Sequence, residues 1–308
     1  MDFYLTLEKV SVLFILIIVG FAVGKAKIVD QNGQKQLTSL VLKVTMPATI
    51  ILAMQQPFSS EKIHNILILI VIMICCYIWM FISSSVVRRF FPNLEEGKKD
   101  IMQAGAILSN TSFMGYPIVL SLLGEQSLFY AVICGGFIFE IISWTFGVYL
   151  IGRNAKGAKP SLKQAIINPG VISIIIGGSL FLLNIKIPEP LFSTMIMLSS
   201  ATSPLAMIVV GLILSRTKIR DAIKDKAVYV TSLNKLIINP LVIIYALKFL
   251  NFSSMNIVIP TVLLSMPTAA YVAMFSANTG NDDKFASQIV FICSLFSLIT
   301  IPIMTSLI

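Results

Sequence analysis

Long apolar runs separated by short polar ones dominate this chain, without the period-two alternation of half-buried strands or the wide polar face of a surface helix. Ten runs are legible. The first five are Leu5 to Gly24, Leu37 to Met54, Ile63 to Val87, Ile101 to Leu123 and Leu128 to Ile151. The second five are Ala165 to Leu183, Leu191 to Leu214, Ala227 to Leu250, Ile257 to Ala277 and Phe285 to Leu307. A helix crossing the hydrocarbon core needs about 20 apolar residues, so the pattern predicts an all-α integral membrane protein with ten transmembrane helices. The first run has no basic segment before it and no small-residue cleavage site after it, so it reads as a retained helix rather than a signal peptide.

Composition narrows the function classes. Of 308 residues, 56% are hydrophobic and only 12% charged, which excludes an ordinary soluble enzyme and leaves no room for a soluble catalytic domain. A net charge of +9 would suggest nucleic acid in a soluble domain, but here the excess Lys and Arg lie between apolar runs, and no nucleic-acid partner is expected. After the odd-numbered runs come Lys25, Lys27 and Lys35; Arg88, Arg89, Lys98 and Lys99; Arg153, Lys156, Lys159 and Lys163; Arg216, Lys218, Arg220, Lys224 and Lys226; and Lys284. The other side holds only Lys9, Lys62, Lys186 and Lys248. Basic residues in short loops stay on the cytoplasmic side, so both termini are predicted outside a plasma or inner membrane. Cys75, Cys76, Cys134 and Cys293 show no ligand or disulfide spacing, so neither a metal nor a cofactor is expected. His64, at the start of the third run, reads as a surface residue.

The chain also repeats itself. Pro47 and Pro204 are 157 residues apart, as are Gly20 and Gly177, and Gly124-Glu125-Gln126-Ser127-Leu128-Phe129 matches Gly280-Asn281-Asp282-Asp283-Lys284-Phe285 at 156. Two units follow, residues 1–154 and 155–308. Five spans per unit make the two enter the membrane in opposite directions, an inverted repeat typical of secondary transporters.

The fourth and ninth runs are the least lipid-like. The fourth carries Ser109-Asn110-Thr111-Ser112-Phe113-Met114-Gly115-Tyr116-Pro117 at mid-membrane depth, and the ninth carries Pro260, Pro267 and Thr268 ahead of Ser276, Ala277 and Asn278. Glycine and proline in such a setting predict broken helices. Freed backbone groups cannot face lipid, so the breaks must line a cavity or be buried in protein. Half-helix N-termini offer amide donors and a positive dipole end, which suit an anion. Asn110 adds a neutral donor. The candidate substrate residues are therefore Asn110, Thr111, Ser112, Gly115, Pro117, Pro267, Thr268 and Asn278.

Three ionisable residues fall inside runs, where charge is costly. Lys235, in Asn234-Lys235 ahead of Asn239-Pro240, fits either a cavity or snorkelling to the interface. Lys43, a turn before Met46-Pro47, fits snorkelling. Glu140, in Phe139-Glu140-Ile141-Ile142-Ser143-Trp144, fits a coupling proton or a lysine partner.

At these residues the chain resembles the auxin efflux carrier family, whose members include plant auxin exporters and bacterial dicarboxylate permeases. The fourth-span stretch from Ser109 to Ile118 is similar to its signature, an Asn-Thr followed by Met-Gly-x-Pro. Met266-Pro267-Thr268-Ala269 and Asn278-Thr279-Gly280-Asn281-Asp282 resemble its ninth-span proline and the acidic turn after it. The resemblance implies a scaffold of spans 1, 2, 6 and 7 and a transport domain of spans 3 to 5 and 8 to 10. An organic anion would bind where spans 4 and 9 cross, in a homodimer. Asn110, Pro117 and Pro267 are carried over as site residues. The short basic link from Arg153 to Lys163 replaces the long hydrophilic loop of the plant exporters and points away from auxin itself. The expected function is a secondary carrier for a small carboxylate, with proton or sodium coupling open; the alternative is a passive channel or membrane sensor on the same fold. No cluster of His, Asp and Glu, nucleophile elbow or phosphate loop accompanies the polar residues, so no enzyme is expected.

Overall fold

A computed structural model describes residues 3–155, 169–216 and 225–308; among those residues the regular structure is helical, joined by short irregular segments, with one isolated bridge. In chain order the helices are α1 (Phe3–Lys25), α2 (Gln31–Ala53), α3 (Ser60–Phe90), α4 (Glu96–Ile107), α5 (Thr111–Leu123) and α6 (Glu125–Gly152). They continue with α7 (Pro169–Leu182), α8 (Glu189–Ser215), α9 (Lys226–Phe249), α10 (Ser254–Leu264), α11 (Tyr271–Thr279) and α12 (Asp283–Ser306). Seven of them, α1, α2, α3, α6, α8, α9 and α12, are long and apolar enough to cross a membrane. The protein is an all-helical integral membrane protein. Residues Lys156, Lys159, Lys163, Lys218, Arg220 and Lys224, and the start of the sixth run at Ala165, lie outside the described residues.

The fourth run is α4 followed by α5, and the ninth is α10 followed by α11, so both predicted breaks exist, but the residues that make them differ from expectation. The fourth helix opens at residues 108–110, at the start of the polar run, and Gly115 and Pro117 lie in continuous helix. Five residues of π-helix, Thr111–Gly115, precede Pro117, which then falls in the first turn of the α-helical part. The wider π turn ahead of it makes room for a ring that would clash with the preceding carbonyl in a regular α turn. Pro47 and Pro240 follow π turns at Val41–Thr45 and Asn234–Ile238 in the same way, within α2 and α9. Pro260 likewise sits inside α10 without breaking it. Only Pro267 is part of a break, the irregular segment at 265–270.

Helices α1 and α8 approach until their backbones touch. A Cβ at Gly20 would fall inside the Ile208 carbonyl, and one at Gly211 inside the Ile17 carbonyl. Helices α7 and α2 meet in the same manner, with a Cβ at Gly177 3.2 Å from the Ile51 Cα. Small residues let membrane helices pack where lipid supplies no hydrophobic drive. Gly20 with Ile208 and Gly177 with Ile51 are equivalent pairs, since both partners are shifted by 157. The hydroxyls of Thr49 of α2 and Thr202 of α8 lie 2.8 Å apart, adding a polar clasp. Gly124 and Gly280 end α5 and α11 with positive φ, 80° and 70°, the backbone counterpart of the matched sequence there.

Candidate functional site

The two breaks are bonded to each other. Asn110 N–H donates to the Pro267 carbonyl and Ala269 N–H to the Leu108 carbonyl, both at 2.8 Å, forming an antiparallel bridge between Ser109 and Thr268. Each break thus satisfies backbone groups that helix geometry released, which is the condition for irregular chain at membrane depth. Thr268 fastens the crossing further. Its hydroxyl donates to the Gly105 carbonyl at 2.8 Å and lies 3.2 Å from the Cys293 sulfur.

The crossing leaves two helix N-termini, those of α5 and α11, beside one another. Among the described residues the amides of Ser112 and Phe113 find no acceptor, and the Thr111 hydroxyl is fully buried without a partner. Asn110 is buried at this N-cap position, its carbonyl accepting from Gly115 N–H at 3.0 Å. Gly115 keeps the turn close to α10, where a Cβ would come 3.1 Å from Leu263. Pro117 is buried in the next turn.

A cavity of about 180 Å³ opens at these N-termini. Leu42, Met46 and Ile50 of α2 with Pro169, Gly170 and Ile174 of α7 form one wall; Ser112 and Tyr116 of α5, Glu140 and Trp144 of α6, and Tyr271 and Met274 of α11 form the other. Glu140 is buried. Its carboxylate accepts from Trp144 Nε1 at 3.0 Å and from the Tyr271 hydroxyl at 3.4 Å. Gly136 makes room for Tyr116, since a Cβ there would collide with the phenol oxygen. A polar cleft of about 390 Å³, lined by Gln34, Arg216, Asp283, Lys284, Ser287 and Gln288, reaches the other flank of the same α11 turn at Ala270 and Ala273.

Behind the crossing lies Lys235, fully buried, whose ammonium donates to the Ser109 hydroxyl. It does not snorkel, and among the described residues it makes no ion pair. Asn234 beside it accepts from Ser83 of α3 at 2.6 Å. Lys43 is exposed, and Asn278 is exposed near the far end of α11, so neither joins the crossing.

Spacing alone did not reveal several contributors. Tyr271 and Ser109 reach their partners over 131 and 126 residues. Trp144 had a local signal, because Glu140 and Trp144 are four apart and share a helix face. The arginines that serve as topology signals also build a cluster. Buried Asp100 of α4 accepts from Arg88 at 3.0 Å, from Arg153 at 3.0 Å and from Asn154 at 2.6 Å. The bond from Asp100 pushes the Arg153 guanidinium above its already high value, and Lys99, hydrogen-bonded to Glu96, holds that carboxyl below the usual range. Asn281 closes the cluster, donating to the Ile151 carbonyl at 2.8 Å and to the Gly97 carbonyl at 3.2 Å. The ends of α3, α4 and α6 and the start of α12 are thereby tied together.

Comparison with known proteins places this geometry. The family model described as membrane transport protein matches residues 5–305. An uncharacterized transporter of Methanocaldococcus jannaschii is 28% identical over 301 residues, covering 96% of this chain and 97% of its own. A second uncharacterized transporter, from Methanothermobacter thermautotrophicus, is 24% identical over 297 residues, covering 96% of each chain.

Proposed function

The chain belongs to the membrane transport protein family, the auxin efflux carriers that its fourth-span motif resembles, and from that membership we propose that it is a secondary active transporter of a small carboxylate. The carrying observation is the cavity onto which the N-termini of α5 and α11 both open. Unpaired amides and two positive dipole ends favour a carboxylate there; Asn110, buried at the N-cap of α5 two residues before Ser112 and outside the cavity's lining, is the further donor of this proposal.

The same cavity divides the helices. Helices α2 and α7 form one wall, α5, α6 and α11 the other. The scaffold is α1, α2, α7 and α8, whose mutual glycine contacts favour a fixed unit. The transport unit is α3 to α6 with α9 to α12, which the Asp100 cluster and the bridged breaks join. Sliding of one against the other would expose the cavity to alternate sides. Equivalent glycine contacts at a shift of 157 residues support a ten-span inverted repeat, and the basic excess supports outward termini. The cleft at Arg216 and Lys284, on the basic side, is the cytoplasmic approach to α11.

A thermal-shift screen of the purified protein against small carboxylates, at two pH values with and without sodium, tests the reading, since a ligand of the folded state raises apparent stability. Asn110→Ala removes donors from a partly dehydrated pocket, where a bond to a charged group contributes about 1.5 to 3 kcal/mol. Affinity for the stabilising acid should fall by roughly one to two orders of magnitude. Unchanged affinity in that variant would move the site away from the crossing.

A further inference from the structure

The corner between α1 and α2 gathers cations that no acid answers. Lys25 ends α1, Lys27 lies in the turn, and Lys35 and Lys43 stand on α2; all four are exposed. Among the described residues none of them makes an ion pair, whereas Arg88, Lys98, Lys99 and Arg153, also on the basic side, each have a carboxylate. Asp30 is the one acid between residues 25 and 44. Its carboxylate is engaged at the start of α2, accepting from Gly33 N–H at 2.7 Å. Four lysines against one aspartate leave the corner positive.

Lys27 also holds an unusual backbone. Its N–H donates to the Gly24 carbonyl and Ile28 N–H to the Val23 carbonyl, which closes α1 with a left-handed residue at φ 57°. Glycine is the usual occupant of that position, because a side chain there is strained. A lysine in its place puts an ammonium at the helix end at a local cost.

The same corner is hollow. An open cleft of about 560 Å³ lies between the turn and α2, with Lys27 and Ile28 on one side and Gly33, Gln36, Leu37 and Leu40 on the other. Spacings of three, one and three put these four on one stripe of α2, and Lys43 and Val44 continue it toward the membrane. No residue of Gln31–Leu40 is buried, and Ile28, Leu40 and Val44 are exposed. Lys43 has a flexible stem that lets its ammonium reach back along the stripe to headgroup level. Cations therefore lie above bare apolar side chains. Lys35 falls on the opposite face of the helix.

We propose that this corner is a seat for an anionic phospholipid, its headgroup held by Lys27 and Lys43 beside Lys25 and an acyl chain lying along Leu40 and Val44. Basic clusters at the end of a membrane helix attract anionic lipid, and each lysine near the surface favours it about fivefold. No residue of the cleft lines the cavity at the crossing, so failure of this proposal leaves the carboxylate reading untouched.

Quenching by brominated lipid tests it. The full chain carrying Val44→Trp is reconstituted in phosphatidylcholine vesicles, and its signal is taken as the difference from the chain without that substitution. Phosphatidylglycerol with brominated chains should associate about fivefold or more tightly than phosphatidylcholine with the same chains. Lys27→Gln should reduce that preference about fivefold, and Lys35→Gln, which removes the same charge from the opposite face, should leave it within about twofold. Lys27→Gly should lose the preference equally without lowering the unfolding temperature in neutral detergent, since glycine suits the left-handed turn. Equal association of the two lipids overturns the seat. Equal losses in Lys27→Gln and Lys35→Gln also overturn it, because they mean diffuse surface charge. Displacement of the brominated phosphatidylglycerol by millimolar inorganic phosphate would assign the lysines to a soluble anion and overturn the lipid.

Discussion

Helices α1, α2, α7 and α8 and the remaining eight are built on different principles, although both groups sit in the same apolar sequence. In the first group contact is made by absence of side chains. Gly20, Gly177 and Gly211 let backbones meet, and the buried polar residues are hydroxyls such as Thr45, Thr49, Ser173 and Thr202. A helix can satisfy these locally, as Thr49 does at the Thr45 carbonyl and Ser173 at the Pro169 carbonyl. The second group contains every buried charged side chain among the described residues: Lys99, Asp100, Glu140 and Lys235. It also contains both breaks and the buried amides Gln103, Asn110, Asn234, Asn239 and Asn256. Hydrocarbon makes such groups expensive, and their concentration on one side of the cavity, opposite a close-packed side, is the contrast on which the proposed transport unit and scaffold rest.

Removing the anchor of the second group should have the largest effect. Asp100→Ala leaves Arg88 and Arg153 facing each other without their shared carboxylate, a class of change that typically costs about 3 to 5 kcal/mol. Thermal unfolding in detergent should show a large drop for this variant and a much smaller one for Asp100→Asn, which keeps an acceptor. A drop no larger than that of a surface substitution would mean that the ends of α3, α4 and α6 are not held together by this cluster.

Next is the close-packed group. Gly20→Val forces α1 away from α8 and should cost about 3 kcal/mol, the upper part of the range for overpacking. At Gly178 nothing lies within 4 Å of an added Cβ, so Gly178→Ala should be near neutral in the same assay. Equal effects at the two positions would erase the contrast on which the proposed fixed group of helices rests.

A smaller effect is expected at Pro117, and it is functional rather than structural. Pro117→Ala returns an N–H and lets the π turn at Thr111–Gly115 relax toward α geometry, which turns the Ser112 amide and hydroxyl away from their present positions. Ligand affinity should fall by about tenfold with unfolding changed by less than about 1 kcal/mol. Full affinity would show that the π turn is a packing feature only. Cys75→Ala, at an exposed position on α3, sets the floor and should change stability by less than about 0.5 kcal/mol and binding not at all.

The breaks show how far local sequence reaches. Polar residues at mid-depth, with Gly115 and Pro117 in the fourth run and Pro260 and Pro267 in the ninth, located the disturbed stretches, because hydrocarbon tolerates no unsatisfied backbone and therefore leaves few places where such residues fit. Which residue interrupts the helix was not legible. Pro117 and Pro260 have the strongest local signal and stay helical, Pro117 directly after a π turn and Pro260 inside α10. The actual opening at 108–110 is fixed by the hydrogen bonds from Asn110 and Ala269, which exist only when two segments more than 150 residues apart come together. Asn278 illustrates the opposite error. It is conspicuous in the sequence, yet it lies seven residues, about 10 Å, along α11 from Tyr271, at the exposed far end of that helix.

By itself the sequence determined that this chain lies in a membrane, roughly where each helix starts and ends, and that two of the apolar runs are broken. These are consequences of single segments meeting hydrocarbon one at a time. The tertiary structure alone decided that Lys235 meets Ser109, that Tyr271 meets Glu140, and that Arg153 and Arg88 share Asp100. A charged side chain in an apolar run announces only that it needs a partner; which partner answers depends on helix packing, whose close approaches no single segment contains.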